Sequence, residues 1–250
     1  MADAQPPAIE FDHVTKAFGP LRVLDDVSLR IDAGRSVCIL GRSGTGKSVA
    51  LKHIVGLIAP DSGHVRVEGQ DIGRLSSRER SSVRRRIGFL FQNAALFDSI
   101  RVGENVEFPL RRHTRLADRA IRARARQLLA QVGLERDYDK MPADLSGGMR
   151  KRAGLARALA LEPAILLADE PSAGLDPITA AEIDALFVDL RDRSGTTLLV
   201  VTHNIPSART IGEEFIFLHE GRILARGTPD VLAASDIPLV RQFMTSQGGG

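Results

Sequence analysis

The chain has 250 residues, 43% of them hydrophobic, and a formal net charge of only +3 despite a sequence pI near 9.4. That is enough apolar material for one α/β domain, or for a core carrying an inserted subdomain. No apolar run approaches the roughly 20 residues that span a bilayer: 153–168 is broken by Arg157, Glu162 and Pro163, and the lone Cys38 excludes a disulfide framework.

The opening residues lack the basic and apolar regions of a secretory signal, so a cytoplasmic chain is expected, with Cys38 a small core residue in a reducing compartment. Ile9–Val14 alternates as a half-buried strand does, Phe18-Gly-Pro marks a turn, and Val23–Ile31 alternates again. Short strands joined by a tight turn predict an antiparallel sheet. Periodicity alone favours core or turn packing for Phe18; an aromatic face for a stacked base is the alternative.

An apolar run, Ser36–Leu40, then meets Gly41-Arg42-Ser43-Gly44-Thr45-Gly46-Lys47-Ser48, and a helical pattern follows with Val49, Leu51, Ile54, Val55 and Ile58. Strand, glycine loop and helix are the context that makes this spacing a phosphate-binding P-loop. Glycines let successive N–H groups curl inward around a phosphate chain, and a helix starting at Lys47 adds its positive end. Lys47 is expected to reach the β- and γ-phosphates, and the Ser48 hydroxyl to hold Mg²⁺.

Asp61-Ser-Gly63 reads as a turn before a strand at His64–Glu68, and Ile87–Phe91 as an apolar strand ending at Gln92. Gln92 stands where α/β sheets bind ligands; a strand-end side chain reaching water is the other reading. Arginines cluster at Arg78–Arg86 and Arg111–Arg126, without interleaved aromatics for base stacking. Nucleic acid is therefore not expected; a solvated face, or one near anionic lipid headgroups, is.

Leu116–Val132 reads as a helix stopped by Gly133, with Leu128, Leu129 and Val132 on one side. Leu145-Ser-Gly-Gly-Met149 leads into a helix running to about Leu161, with Ser146 as N-cap. Gly147 and Gly148 leave N–H groups free for an anion; a simple capped helix is the alternative. Ile165–Asp169 is a strand ending in two acids: Asp169 has the form of a metal-site carboxylate opposite Ser48, and Glu170 could take a proton from water. Asp176-Pro177 caps a helix whose buried stripe is Ile183, Leu186, Phe187 and Leu190. Thr197–Thr202 is a further strand closed by His203, and 215–225 reads as a hairpin around Glu220-Gly221.

Taken in order, these motifs resemble an ATP-binding-cassette (ABC) ATPase over nearly the whole chain. Leu145–Met149 corresponds to that family's signature motif, with Met149 where Gln is usual. The resemblance implies a P-loop NTPase core of RecA-like α/β fold, with an N-terminal antiparallel β-subdomain and an inserted helical subdomain. The single ATPase domain would run over 7–245, with core and β-subdomain at 7–92 and 160–230, a helical subdomain at about 93–159, and tails at 1–6 and 246–250.

The resemblance also implies roles. Phe18 would stack on the adenine of ATP, and Gly41, Arg42, Ser43, Gly44, Thr45, Gly46, Lys47 and Ser48 would hold the phosphates, with Ser48 on Mg²⁺. Gln92 would sense Mg²⁺ and the attacking water, Asp169 would support Mg²⁺, Glu170 would polarise water, and His203 would contact the γ-phosphate. Ser146, Gly147 and Gly148 would bind ATP held by a second copy, with Asp176 at the interface of a head-to-tail dimer.

The stretches Phe91–Ile100, Asn105–Thr114, Leu145–Arg157 and Asp169–Ile178 resemble the ATPase subunit of the Mla, MCE-type, phospholipid transporters of double-membraned bacteria. That implies an inner-membrane permease as partner, an MCE-domain lipid-binding protein, a small accessory subunit, and a place on the cytoplasmic face of the inner membrane. Three other readings stay open: another ABC importer such as one for amino acids, a soluble ABC ATPase of DNA repair or translation, and a regulatory module without turnover. The absence of a long coiled-coil insertion, the single cassette, and the presence of both Glu170 and His203 count against the last two.

Overall fold

In chain order the elements are β1 (Ile9–Phe18), β2 (Leu21–Ile31), β3 (Ser36–Leu40), α1 (Lys47–Ile54), β4 (Ser62–Val67), β5 (Gln70–Asp71), α2 (Ser77–Arg84), β6 (Ile87–Leu90) and α3 (Val102–His113). They continue with α4 (Asp118–Gln131), α5 (Gly147–Ala158), β7 (Ile165–Asp169), α6 (Pro177–Ser194), β8 (Thr197–Thr202), α7 (Ile205–Ile211), β9 (Glu214–His219), β10 (Arg222–Gly227), α8 (Pro229–Ala233) and α9 (Pro238–Thr245). The structure is a computed structural model that describes residues 6–42 and 44–246. Ser43 and the terminal residues 1–5 and 247–250 lie outside it.

The alternating strands pair as an antiparallel sheet of order β2-β1-β4-β5, with Ile9 opposite Ile31 on one side and Val67 on the other. The second sheet has the order β10-β9-β3-β8-β7-β6, and β3, β6, β7, β8 and β9 run parallel. Strands β3, β7 and β8 are buried along their whole length, as a parallel sheet covered on both faces requires. One core fills the space between the two sheets around α1, with Ile9, Leu51, Ile54, Leu167 and Val201. The other lies across the second sheet, where Leu40, Leu90, Leu166 and Phe187 meet the helices α3 to α7.

Local chemistry sets the helix ends. Ser76 and Glu79 form a reciprocal capping box on α2, Ser146 caps α5, and Asp176 followed by Pro177 starts α6. Gly133 at φ 72° ends α4 and Gly195 at φ 61° ends α6. Among the described residues no helix is long and apolar enough to cross a membrane.

Several expectations need correction. Phe18 is 47% exposed at the tip of the β1–β2 hairpin, so it is not core. Ser62 and Gly63 belong to β4 rather than to the turn, because β1 keeps pairing as far as Thr15 opposite Ser62. Helix α5 stops at Ala158, and Leu186 and Leu190 are only partly buried. Helix α3 carries no expectation from the sequence, since Pro109 sits inside it and breaks the pattern.

Candidate active site

Three strand ends converge. In the parallel register Leu40 lies beside Thr202, and Asp169 beside Val201, so the loops leaving β3, β7 and β8 open side by side. Such carboxyl-end crevices are where open α/β sheets place ligands.

After β3 the chain turns through 41–46 into α1. Gly46 adopts φ 96°, and a Cβ there would sit 2.5 Å from the Val23 carbonyl oxygen, so only glycine fits. This contact ties the loop to β2 and to the hairpin that carries Phe18. The Lys47 ammonium is 5% exposed and donates to the carbonyls of Gly41 (2.7 Å) and Arg42 (2.9 Å). Burial pulls it below the ordinary lysine range, against the opposing charges of Glu170 and Asp169.

The carboxylates come next. The Ser48 hydroxyl donates to Asp169 Oδ1 at 2.8 Å. Burial pushes the Asp169 carboxyl up; the Ser48 hydrogen bond opposes this and the neighbouring Glu170 adds to it. Glu170 is 7% exposed, with Oε1 3.8 Å from Lys47 Nζ. It accepts hydrogen bonds from Thr202 Oγ1 (3.2 Å), His203 N (3.3 Å) and His203 Nδ1 (2.9 Å). Because a carboxylate accepts, the Nδ1 nitrogen carries the proton, and Nε2 faces away from Glu170.

Lys47, Ser48, Asp169, Glu170 and His203 are therefore one connected cluster. Thr45 donates to the Arg42 carbonyl at 2.8 Å, and Gly41, Arg42, Gly44 and Gly46 complete the loop. Ser43 lies outside the described residues. Gln92 is exposed in the turn just after β6, the strand neighbouring β7, and Phe18 is exposed with Lys16 Nζ 5.5 Å from its ring centre.

Ser146, Gly147 and Asp176 stand apart from the cluster. Among the described residues the Ser146 hydroxyl accepts only from Met149 N, and Asp176 accepts from Ile178 N, Thr179 N and Thr179 Oγ1. All three are exposed. Gly148 is buried, and a Cβ on it would meet Thr179 Cγ2 at 2.4 Å, so close packing of α5 on α6 already requires a glycine there.

Three residues escaped the sequence reading. Lys151, 6% exposed on α5, donates to the carbonyls of Glu170 (2.7 Å) and Ala173 (2.9 Å). Ser172 and Ser207, both buried, share a hydrogen bond of 2.9 Å and tie the segment after Glu170 to α7. A lysine in a run of basic residues gives no sign of burial. Its partners are main-chain carbonyls, which no sequence pattern displays.

Residues 24–173 match the ABC transporter family. A Mycobacterium tuberculosis protein named "Probable ribonucleotide transport ATP-binding protein mkl" is 45% identical over 96% of this chain and 67% of its own length. The Escherichia coli "Intermembrane phospholipid transport system ATP-binding protein MlaF" is 39% identical over 91% of this chain and 85% of its own. A solved ATP-binding cassette, in a dimeric post-hydrolysis state bound to ADP and Pi, superposes with a TM-score of 0.83 at 37% identity, covering 88% of this chain and 98% of that one. With the strand-end cluster on the page, these likenesses are decisive: the chain belongs to the ABC transporter family, as an ATP-binding, ATP-hydrolysing cassette.

Proposed function

We propose that this cassette powers phospholipid transport between the inner and outer membranes of a double-membraned bacterium. The observation that carries the chemistry is the Lys47–Glu170–His203 cluster beside the Ser48–Asp169 pair at the strand ends. The substrate class rests on the likeness to the MlaF proteins of Escherichia coli and Haemophilus influenzae, 39% and 38% identical. The mycobacterial relatives named for ribonucleotide transport supply the rival substrate.

In this reading Gly41–Ser48 cradles the phosphates, and Lys47 exchanges its two carbonyl partners for phosphate oxygens. Phe18 stacks on adenine. The Ser48 hydroxyl and Asp169 carboxylate are hard oxygen donors of the kind Mg²⁺ prefers, with Gln92 as a further one. No group of three or more His, Cys, Asp or Glu able to cage a metal exists among the described residues, which fits an ion completed by phosphate and water. Mg²⁺ would neutralise charge on the phosphates.

Water attacks the γ-phosphorus in line as the bond to the β–γ bridging oxygen breaks, and ADP leaves with that oxygen. Glu170, fixed by three donors, accepts the water proton. The His203 Nε2 is left to reach the γ-phosphate. Ser146, Gly147 and Gly148 contact the ATP of a second copy, with Asp176 between subunits in a head-to-tail dimer. We assign 7–92 with 160–230 to the core and β-subdomain, and about 93–159 to the helical subdomain.

A cavity of about 510 Å³ lined by Arg85, Phe89, Phe97, Phe108 and His113 is the surface we assign to the membrane permease. The cassette would sit peripherally on the cytoplasmic face of the inner membrane, alongside an MCE-domain lipid-binding protein and a small accessory subunit.

The test is mass spectrometry of what copurifies with the cassette from membranes in mild detergent. Glycerophospholipid with a permease and an MCE-domain protein is expected. A permease with a solute-binding protein and nucleotide cargo would replace the substrate. Soluble nucleic-acid partners alone would overturn the transport reading.

A further inference from the structure

About half of the arginines of this chain have an acidic partner. Arg66 bridges Glu10 and Asp12, Arg226 holds Glu214, and Arg222 holds Asp25. The corner made by α3 and α4 departs from that pattern. Between residues 108 and 134 there are seven arginines and one acidic residue, Asp118. Arg111 takes Asp118 (2.6 Å) together with Glu107, Arg124 reaches Glu162 (2.7 Å), and Arg126 lies 4.0 Å over the Tyr138 ring.

Arg112, Arg115, Arg119 and Arg122 are left exposed, with no hydrogen bond or ion pair among the described residues. Arg119 and Arg122 lie one turn apart on α4 and both are exposed, Arg122 at the flank of the buried stripe of Ile121, Ala125, Leu128 and Leu129. Arg112 ends α3 beside His113, whose imidazole is pulled below its ordinary value, first by burial and then by the charges of Arg85 and Arg112. Positive charge therefore converges here without compensation.

Apolar side chains lie bare in the same place. Leu116, between Arg115 and Arg119, is 49% exposed, and Phe108 is 47% exposed with its ring 4.9 Å from that of Phe97. A merely solvated face mixes both signs of charge and keeps large apolar residues few. A nucleic-acid surface interleaves aromatic platforms among its basic residues; here Phe97 and Phe108 pack on each other outside the run 111–122, and the large apolar residue within that run is Leu116. Unpaired arginines around an exposed aliphatic residue are the pattern of a surface that rests on anionic headgroups and dips apolar groups into the acyl boundary.

The geometry points to the α3–α4 corner as a contact surface for an anionic phospholipid bilayer, with Arg112, Arg115, Arg119 and Arg122 on lipid phosphates and Leu116 entering the headgroup boundary. Its orientation rests on the permease reading, since the cavity at Phe108 and His113 adjoins it. The contact itself does not.

The experiment is sedimentation of the purified cassette, without any permease, with vesicles of phosphatidylglycerol and phosphatidylethanolamine or of phosphatidylcholine alone, at low and high salt. Binding to the anionic vesicles alone, weakened by salt, is expected. Each arginine contributes about fivefold to partitioning, so R112Q/R115Q/R119Q/R122Q should lose roughly several hundredfold, and R112K/R115K/R119K/R122K should keep most of it. ATPase activity of both variants should match wild type, which also shows that they fold. Equal binding to phosphatidylcholine, no binding, binding unchanged in the glutamine variant, or preference for added RNA would each overturn the proposal. Vesicle binding in a cassette that copurifies with no permease would sink the transport reading and leave this one standing; the converse result would do the opposite.

Discussion

Glu170 holds its carboxylate in place from a backbone conformation that most side chains avoid, with φ 50°. Such a residue costs about 1–3 kcal/mol and persists only where its surroundings over-determine it. Here the amide donates to the Val201 carbonyl (2.8 Å), the carbonyl accepts from Lys151, and the carboxylate accepts three hydrogen bonds. If that rigidity serves proton transfer, Glu170→Gln should slow single-turnover ATP hydrolysis by about 100-fold or more while nucleotide affinity persists. Unchanged turnover would remove Glu170 as the base. Lys47→Ala should instead abolish measurable binding of a fluorescent ATP analogue, because in the proposed role the ammonium would face phosphate in the ground state as well as in the transition state. His53 bears on stability rather than chemistry. It is 1% exposed on α1, and burial holds its imidazole below the ordinary value against the pull of the Val49 and Ala59 carbonyls. The unfolded chain thus binds the proton first, so stability should fall as pH drops below about 6.5. Thermal melts of His53→Leu should show a weaker acid dependence than wild type; parallel pH profiles would rule His53 out as the cause.

Helix α5 joins two pieces of the site that the sequence presents separately. Its first turn carries Ser146 to Gly148, and one turn further on Lys151 clamps the segment from Glu170 to Ala173. Lys151→Met keeps the length of the side chain but removes both bonds, and each buried carbonyl left unsatisfied costs about 1–3 kcal/mol. The expected outcome is a kcat lowered about 10–100-fold through a displaced Glu170, with KM for ATP nearly unchanged and recovery in Lys151→Arg. A purely structural lysine would lower the melting temperature and leave kcat per folded molecule intact. The same contrast explains what the sequence discloses. Strands β3, β7 and β8 are legible because burial on both faces writes an unbroken apolar run, and the starts of α5 and α6 because Ser146 and Asp176 cap their own helices. Helix α3 is not, since its fold depends on buried Asn105, which bonds the backbone of Phe97, Ile100 and Arg101, and on tolerance of Pro109. Phe18 misleads for a related reason: alternation places it on a face but cannot say that the hairpin tip overhangs the core.

Across the whole molecule, the groups that could bind a nucleotide fall into two sets that one chain does not unite. Lys47, Ser48, Asp169, Glu170 and His203 are linked by contacts of 2.8–3.8 Å or by adjacency along the chain, whereas Ser146, Gly147 and Asp176 face solvent with only local hydrogen bonds among the described residues. Exposed N–H groups at the start of a twelve-residue helix suit an anion, and in a single copy no phosphate held by Lys47 is shown to reach them. A second copy can supply it. On the reading proposed above, ATP would favour the closed pair because its phosphates would contact both subunits, and hydrolysis would remove that difference. Glu170→Gln should therefore accumulate a dimer with ATP and Mg²⁺, seen by light scattering on a sizing column, and remain monomeric with ADP. Adding Ser146→Arg should abolish the dimer while ATP still binds each monomer through the Lys47 loop. Loss of ATP binding by that monomer would mean that Ser146 acts on its own chain's nucleotide, and the two-copy site would fall.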